Sequence, residues 1–235
     1  MSDIAPRVVG GPGGATGARG PSGVPDSAGR GARAWAAWWP LLALTTLAAV
    51  LRLATLGSQS LWYDEAFTSV HVFRAGLVTT LSNVTHSENT PPLWYVLQWG
   101  VTRVLGDGAV ALRLLSAFAG IATVPVAWAI GGELAGRRAA PVTAALVAVN
   151  PLLVWYSQEA RAYGLFVLMA SLALLCFVRA LHRPSARRSA AFAVTASLAL
   201  LTHYFAVFLL IPMMVWLLWS TIARGGDGEK GVPHA

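Results

Sequence analysis

The sequence predicts an all-α protein: a polytopic transmembrane helical bundle of about six spans, with interfacial helices in its first extracytoplasmic loop. Three observations carry this prediction. Only 11% of the residues are charged and 56% are apolar, whereas an ordinary soluble domain carries about 25% charged residues. Apolar runs approaching the roughly 20 residues needed for a span recur along the chain. Arginine clusters fall between these runs in the alternation expected of a multi-pass topology.

Residues 1–34, rich in Gly, Pro, Ser, Ala and Arg and without apolar periodicity, read as a disordered basic leader on the cytoplasmic side. The apolar run that follows exceeds the roughly 7–15 residues of a signal-peptide core, so a retained first span is expected. Spans are expected at 35–56, 109–133, 139–157, 162–181, 189–204 and 205–222. The last two are alternatively one long helix broken near His203. Together 35–222 form the transmembrane domain, with a first outer loop at 57–108 and a cytoplasmic tail at 223–235. Arginine in the leader, in Gly136-Arg137-Arg138 and in 182–188 places all three on the cytoplasmic side. The expected product is a multi-pass plasma-membrane protein with a cytoplasmic N-terminus.

Within the outer loop, two helices are expected to lie on the membrane, at 62–75 and 91–105. The second is too short to span and contains Arg103, so Trp94, Tyr95 and Trp99 are expected at headgroup level. Arg52 and Arg113, near helix ends, are expected to snorkel to the interface. Pro125, Pro151 and Pro212 are expected to kink their helices.

The formal charge of +7 comes almost wholly from arginine, the one lysine being Lys230. These arginines sit between apolar segments rather than in one aromatic-interleaved patch, which argues against a nucleic-acid partner. Cys176 is the single cysteine, so no intrachain disulfide can form. There is no Gly-rich phosphate loop, zinc-hydrolase motif or Gly-x-Ser-x-Gly elbow.

Three polar stretches interrupt the apolar pattern: 61–68, containing Tyr63-Asp64-Glu65-Ala66; 86–95, from His86 through Pro91-Pro92-Leu93-Trp94-Tyr95; and 156–163, containing Gln158-Glu159-Ala160-Arg161. The topology collects Asp64, Glu65, His86, Glu88, Glu159, Arg161 and His203 at one membrane boundary. A carboxylate there can act as general base. Arg161 can hold a phosphate leaving group, or instead pair with Glu159 or a lipid headgroup. His86, Glu88 and His203 are donor types suited to a divalent ion, although their spacing is no recognised metal signature.

The order of Tyr63-Asp64-Glu65-Ala66, Pro91-Pro92-Leu93-Trp94-Tyr95, Arg113-Leu114-Leu115-Ser116-Ala117, Ser157-Gln158-Glu159-Ala160-Arg161-Ala162-Tyr163 and Thr202-His203-Tyr204 resembles the GT-C glycosyltransferases. More narrowly, it resembles the bacterial branch related to protein O-mannosyltransferases and lipid A aminoarabinose transferases. The resemblance implies transfer of a sugar, a hexose such as mannose, from a polyprenyl-phosphate donor. Transfer proceeds with inversion to a hydroxyl of an acceptor protein, glycan or lipid on the extracytoplasmic side. It places the base at Asp64 with Glu65 beside it. Donor-phosphate or substrate contacts fall on Arg161, Glu159, His86, His203 and Tyr163, and a divalent ion on Glu88. Family members usually continue into further spans, so three readings of the chain stand: a truncated product, a half that needs a partner, or a short form. A non-catalytic remnant or assembly subunit that keeps the fold without turnover is a second reading of function, and a transporter or flippase component is the third. The one-sided placement of the ionisable groups and the lack of an internal repeat disfavour it.

Overall fold

The structure, a computed structural model, describes residues 27–74, 76–88 and 90–228. Every element among them is helical: α1 (Ser27–Leu53), α2 (Tyr63–Phe67) running into a π-helical turn (Thr68–Val72), α3 (Leu77–Ser87), α4 (Leu93–Leu105), α5 (Ala109–Ala135), α6 (Ala139–Val149), α7 (Pro151–Ser157), α8 (Tyr163–His182), α9 (Ala186–Thr202) and α10 (Ala206–Gly228). Residues up to Ala37 form a unit of their own, and the bundle is built from Trp38 onward. The expected leader lies outside the described residues up to 26, and the chain is already helical at Ser27. Of the expected tail, 229–235 lie outside them as well.

Helices Ala109–Ala135 and Tyr163–His182 are each long and apolar enough to cross a membrane. The pair Ala139–Val149 and Pro151–Ser157, bent by 59°, makes a third if it is one broken span. The apolar parts of α1 and α10 are shorter, Trp38–Leu53 and Ala206–Ser220. The six expected apolar runs all reappear as helices, with α9 and α10 separated at His203 rather than fused. Large apolar side chains such as Phe208, Ile211, Val215, Trp219 and Ile222 are exposed along α10. A soluble monomer does not leave such a face to water; a membrane protein presents it to lipid.

α5 is the central helix, packing on α6 and α8, while α8 also packs on α9. Close approach depends on small residues. Ala48, Ala144 and Ala148 are wholly buried with Val124 where α1, α5 and α6 meet, the kind of contact that holds helices together where apolar burial cannot. At Gly164 a Cβ would lie 2.9 Å from the Ser116 carbonyl oxygen and 3.1 Å from that of Tyr156. Further along, Ala173, Phe177, Phe192, Ala199, Ala206 and Met213 join α8, α9 and α10.

Pro151 breaks the third apolar run, and Asn150 caps the new helix by accepting from the N–H groups of Leu152 and Leu153. The break removes the partners of two carbonyls: Val147 faces a proline nitrogen, and Ala148 has lost the Leu152 N–H to Asn150. Arg52 takes up both. Its Nη2 donates to Val147 O at 3.1 Å, its Nη1 to Ala148 O at 3.0 Å and its Nε to Ser157 Oγ at 3.1 Å. The expectation that Arg52 snorkels is therefore corrected: it is 0% exposed, because the broken helix offers it carbonyls inside the bundle.

The outer loop also departs from expectation. The stretch 62–75 holds α2 and a π-helical turn rather than one helix, and α3 is a third loop helix beyond the two expected. Trp94 and Tyr95 of α4 face the protein interior rather than lipid headgroups. They are 1% and 2% exposed, packed with Phe73, Val84, Leu112 and Leu165 in a core that roots the loop on α5 and α8.

Two alanine substitutions separate these constraints. Gly164→Ala, where backbone oxygens block the new methyl, is expected to lower stability by about 1–3 kcal/mol. Gly100→Ala, within α4 and with nothing within 4 Å of the new carbon, is expected to raise it by about 0.4–1 kcal/mol. Thermal unfolding of the purified protein in detergent measures both.

Candidate active site

The loop's fixed point is an ion pair. Glu65 is 2% exposed and Arg113 also 2%, and Arg113 Nη2 lies 2.6 Å from Glu65 Oε2. Glu65 Oε1 accepts from Arg113 Nε at 3.1 Å and from the Ala160 N–H at 2.6 Å. Its Oε2 also accepts from the Trp62 N–H at 3.0 Å, so the Glu65 side chain reaches back to the residue that precedes α2. The remaining guanidinium hydrogens reach the carbonyls of Leu56, Gln59 and Ser60 at 3.0, 2.9 and 3.1 Å. All five donors of the Arg113 fork are thereby satisfied. Burial alone would raise the Glu65 carboxyl, but hydrogen bonds from Arg113, Ala160 and Trp62, with the Arg113 charge, hold it below the usual carboxylate value. Arg113, expected to snorkel, is instead buried as the partner of Glu65. With both oxygens occupied and its charge held, Glu65 is placed to anchor the loop rather than to accept a proton.

Asp64, one residue earlier, faces the other way. It is exposed, and its carboxylate makes no hydrogen bond or ion pair among the described residues. One helical turn on, the Thr68 hydroxyl lies 3.0 Å from the Asp64 carbonyl and 2.9 Å from Glu88 Oε1. It accepts from Arg161 Nη1 at 3.2 Å. The same Nη1 lies 3.4 and 3.5 Å from the two Glu88 oxygens. Arg161 is one fifth exposed, and its Nε and Nη2 have no partner among the described residues. Half of a planar fork is thus presented outward, the geometry that grips a phosphate or carboxylate. Tyr95 closes the cluster from below, bonded to Thr90 Oγ1 at 2.8 Å. Burial first, and then the charge of Glu88, push its phenol up, so it stays protonated.

The other sequence candidates lie around this cluster or away from it. Glu159 accepts from Trp155 Nε1, and burial, with the charge of Glu65 adding to it, raises its carboxyl. His203 heads α10, its Nδ1 accepting from the Phe205 N–H at 3.2 Å, so that Nε2 carries the proton. Burial and the Arg161 charge hold its imidazole below the usual histidine value, leaving it neutral near pH 7. Tyr163 packs between Tyr156 and His203, with ring centres 4.9 and 5.7 Å away. His86 stands apart, exposed on α3 with its ring on the Ser82 carbonyl at 2.6 Å. No group of three or more His, Cys, Asp or Glu side chains is placed to hold a metal ion among the described residues. Glu88 is directed at Arg161 and Thr68, while the His86 ring is engaged elsewhere, so the donor set expected for a divalent ion does not assemble.

Thr68, Arg113 and Tyr95 were not singled out from sequence as members of the site. A usable signal existed for Arg113. A second charge at the start of an apolar helix, facing a carboxylate that follows the previous span, calls for pairing rather than snorkelling.

Glu65→Gln, which leaves the buried Arg113 without its counter-charge, is expected to cost about 3–5 kcal/mol of stability at neutral pH. Because the folded carboxyl titrates below its ordinary value of 4.5, the ion pair contributes fully above that value. Its contribution is lost as pH falls through the lower, folded value. Unfolding midpoints of wild type and variant in detergent should therefore converge on acidification below the carboxylate range.

Residues 89–227, more than half of the chain, match the dolichyl-phosphate-mannose-protein mannosyltransferase family. The matched region includes Arg113, Arg161 and His203 and begins after Asp64, Glu65 and Glu88. No curated protein matches the chain, and no solved structure does. A membrane bundle of apolar helices with this match over most of its core belongs to the dolichyl-phosphate-mannose-protein mannosyltransferase family, as a mannosyltransferase-like membrane glycosyltransferase of the GT-C type.

Proposed function

We propose that this chain transfers a hexose such as mannose from a polyprenyl-phosphate donor to an acceptor hydroxyl on the extracytoplasmic side of the plasma membrane. The observation that supports this most is the half-free guanidinium of Arg161, held by Glu88 and by Thr68, a residue one helical turn beyond the exposed Asp64. Asp64 takes the proton of the acceptor hydroxyl as its oxygen bonds to the anomeric carbon. The bond from that carbon to the phosphate oxygen breaks on the opposite face, inverting the centre. Polyprenyl phosphate leaves with the electron pair, and Arg161 stabilises its developing charge. Glu88 orients Arg161, and Glu65 with Arg113 fixes the backbone from which Asp64 projects. The neutral His203 and Tyr163 line the neighbouring side, where they can contact the sugar.

Sugar transfer from polyprenyl-phosphate donors, measured in membranes expressing the chain, tests this reading. Asp64→Asn is expected to lower turnover by roughly 10²–10⁴ with abundance and insertion unchanged. Arg161→Gln is expected to lower it by roughly 10²–10³. Full activity in Asp64→Asn would overturn the base, and no transfer by the stably inserted wild type would overturn the activity of the chain itself. The orientation has its own check. In a Cys176→Ser background, a cysteine at Gly136 should react with an impermeant thiol reagent only from the cytoplasmic face.

A further inference from the structure

Roughly 30 Å along α5 from Arg113, at 1.5 Å per residue, Glu133 marks the opposite end of the bundle. Beside it a cavity of about 660 Å³ opens between the end of α8 and the start of α9, lined by Arg179, Arg183, Arg187, Arg188, Glu133 and Cys176. Four guanidinium groups face one carboxylate there. Glu133 is already engaged, pairing with Arg179 at 2.9 Å and lying 3.9 Å from His182. Arg188 donates to the Arg183 carbonyl at 2.6 Å, which braces the α8–α9 turn. The side chains of Arg183 and Arg187 make no hydrogen bond or ion pair among the described residues. Ser185 caps α9 by accepting from the Arg188 N–H, and the amides of Ala186 and Arg187 before it add the partial positive charge of a helix N-terminus at the same place.

The geometry points to a phosphate-binding site in this cavity, fitted to the phosphate of an anionic lipid headgroup. Simple snorkelling would spread these arginines along the rim. Here an ion pair and a brace hold two of them in place around a concave space, and the other two remain available. The cavity sits at the end of an apolar span, the depth at which headgroup phosphates lie. The proposal stands independently of the sugar-transfer site at the other end of α5.

Cys176, the chain's single cysteine, lines the cavity and serves as the reporter. The full chain, purified in dodecyl maltoside, is alkylated with a small maleimide, alone, with phosphatidylglycerol, or with inorganic phosphate. Phosphatidylglycerol is expected to slow alkylation several-fold, and Arg183→Gln with Arg187→Gln, both at exposed positions, to abolish that protection. Protection by the lipid alone assigns the site to a headgroup. Equal protection by inorganic phosphate assigns it to phosphate from either source. No protection by either, or protection that survives the double substitution, overturns the proposal.

Discussion

The placement of the loop between α1 and α5 depends on one ion pair, Glu65 with Arg113. Removing two charges from water costs several kcal/mol for each ion, and attraction alone seldom returns that. The arrangement is tolerated because nothing is left over: Glu65 accepts from the Arg113 fork and two backbone amides, and Arg113 also binds the carbonyls of Leu56, Gln59 and Ser60. Three segments distant in sequence meet at these two side chains: the first connection with α2 that follows it, α5, and the turn before α8. The loop cannot shift on the bundle without leaving a buried charge unpaired.

Arg52 applies the same principle inside the bundle. A proline in an apolar helix exposes carbonyls to a medium that cannot hydrogen-bond them. Here the guanidinium of a neighbouring helix supplies the missing donors, and it also holds Ser157, at the end of α7. The kinked run therefore ends where the Gln158-Glu159-Ala160-Arg161 turn must begin. Gln158 ties that turn back to α1 through the Leu51 carbonyl and Thr55. The two buried arginines thus bracket the turn that carries Arg161.

Around this frame the charges divide by role. Glu65, Arg113 and Arg52 are buried and saturated, and they set position. Asp64 and the outer half of Arg161 are accessible, and the proposed transfer gives them its base and its phosphate contact. Glu88 and Thr68 lie between the two groups and aim Arg161. The pairing of an exposed carboxylate with a buried, saturated neighbour in one dipeptide gives two adjacent acids different work through environment alone.

Fold class was legible from the sequence because it rests on quantities local to the chain: apolar run length, charge poverty and the alternation of arginine clusters. The break at Pro151 and the separation of α9 from α10 at His203 were legible for the same reason. The grouping of Glu65, Glu88 and Arg161 near one boundary could be anticipated from topology, since each follows or precedes an apolar run. What each would do there could not. Whether Glu65 or Asp64 is buried depends on which face of a five-residue helix meets α5, and no periodicity can be read from so short a segment. Arg113 and Arg52 looked like snorkelling residues because their partners lie 48 and 105 residues away. His86 points elsewhere because it stands two residues before Glu88, a spacing that does not share a helix face, and its ring turns back onto the Ser82 carbonyl. Composition and run length determined that this is a helical membrane protein with polar connections; the pairing of buried charges, which depends on distances through space, was decided only by the tertiary structure.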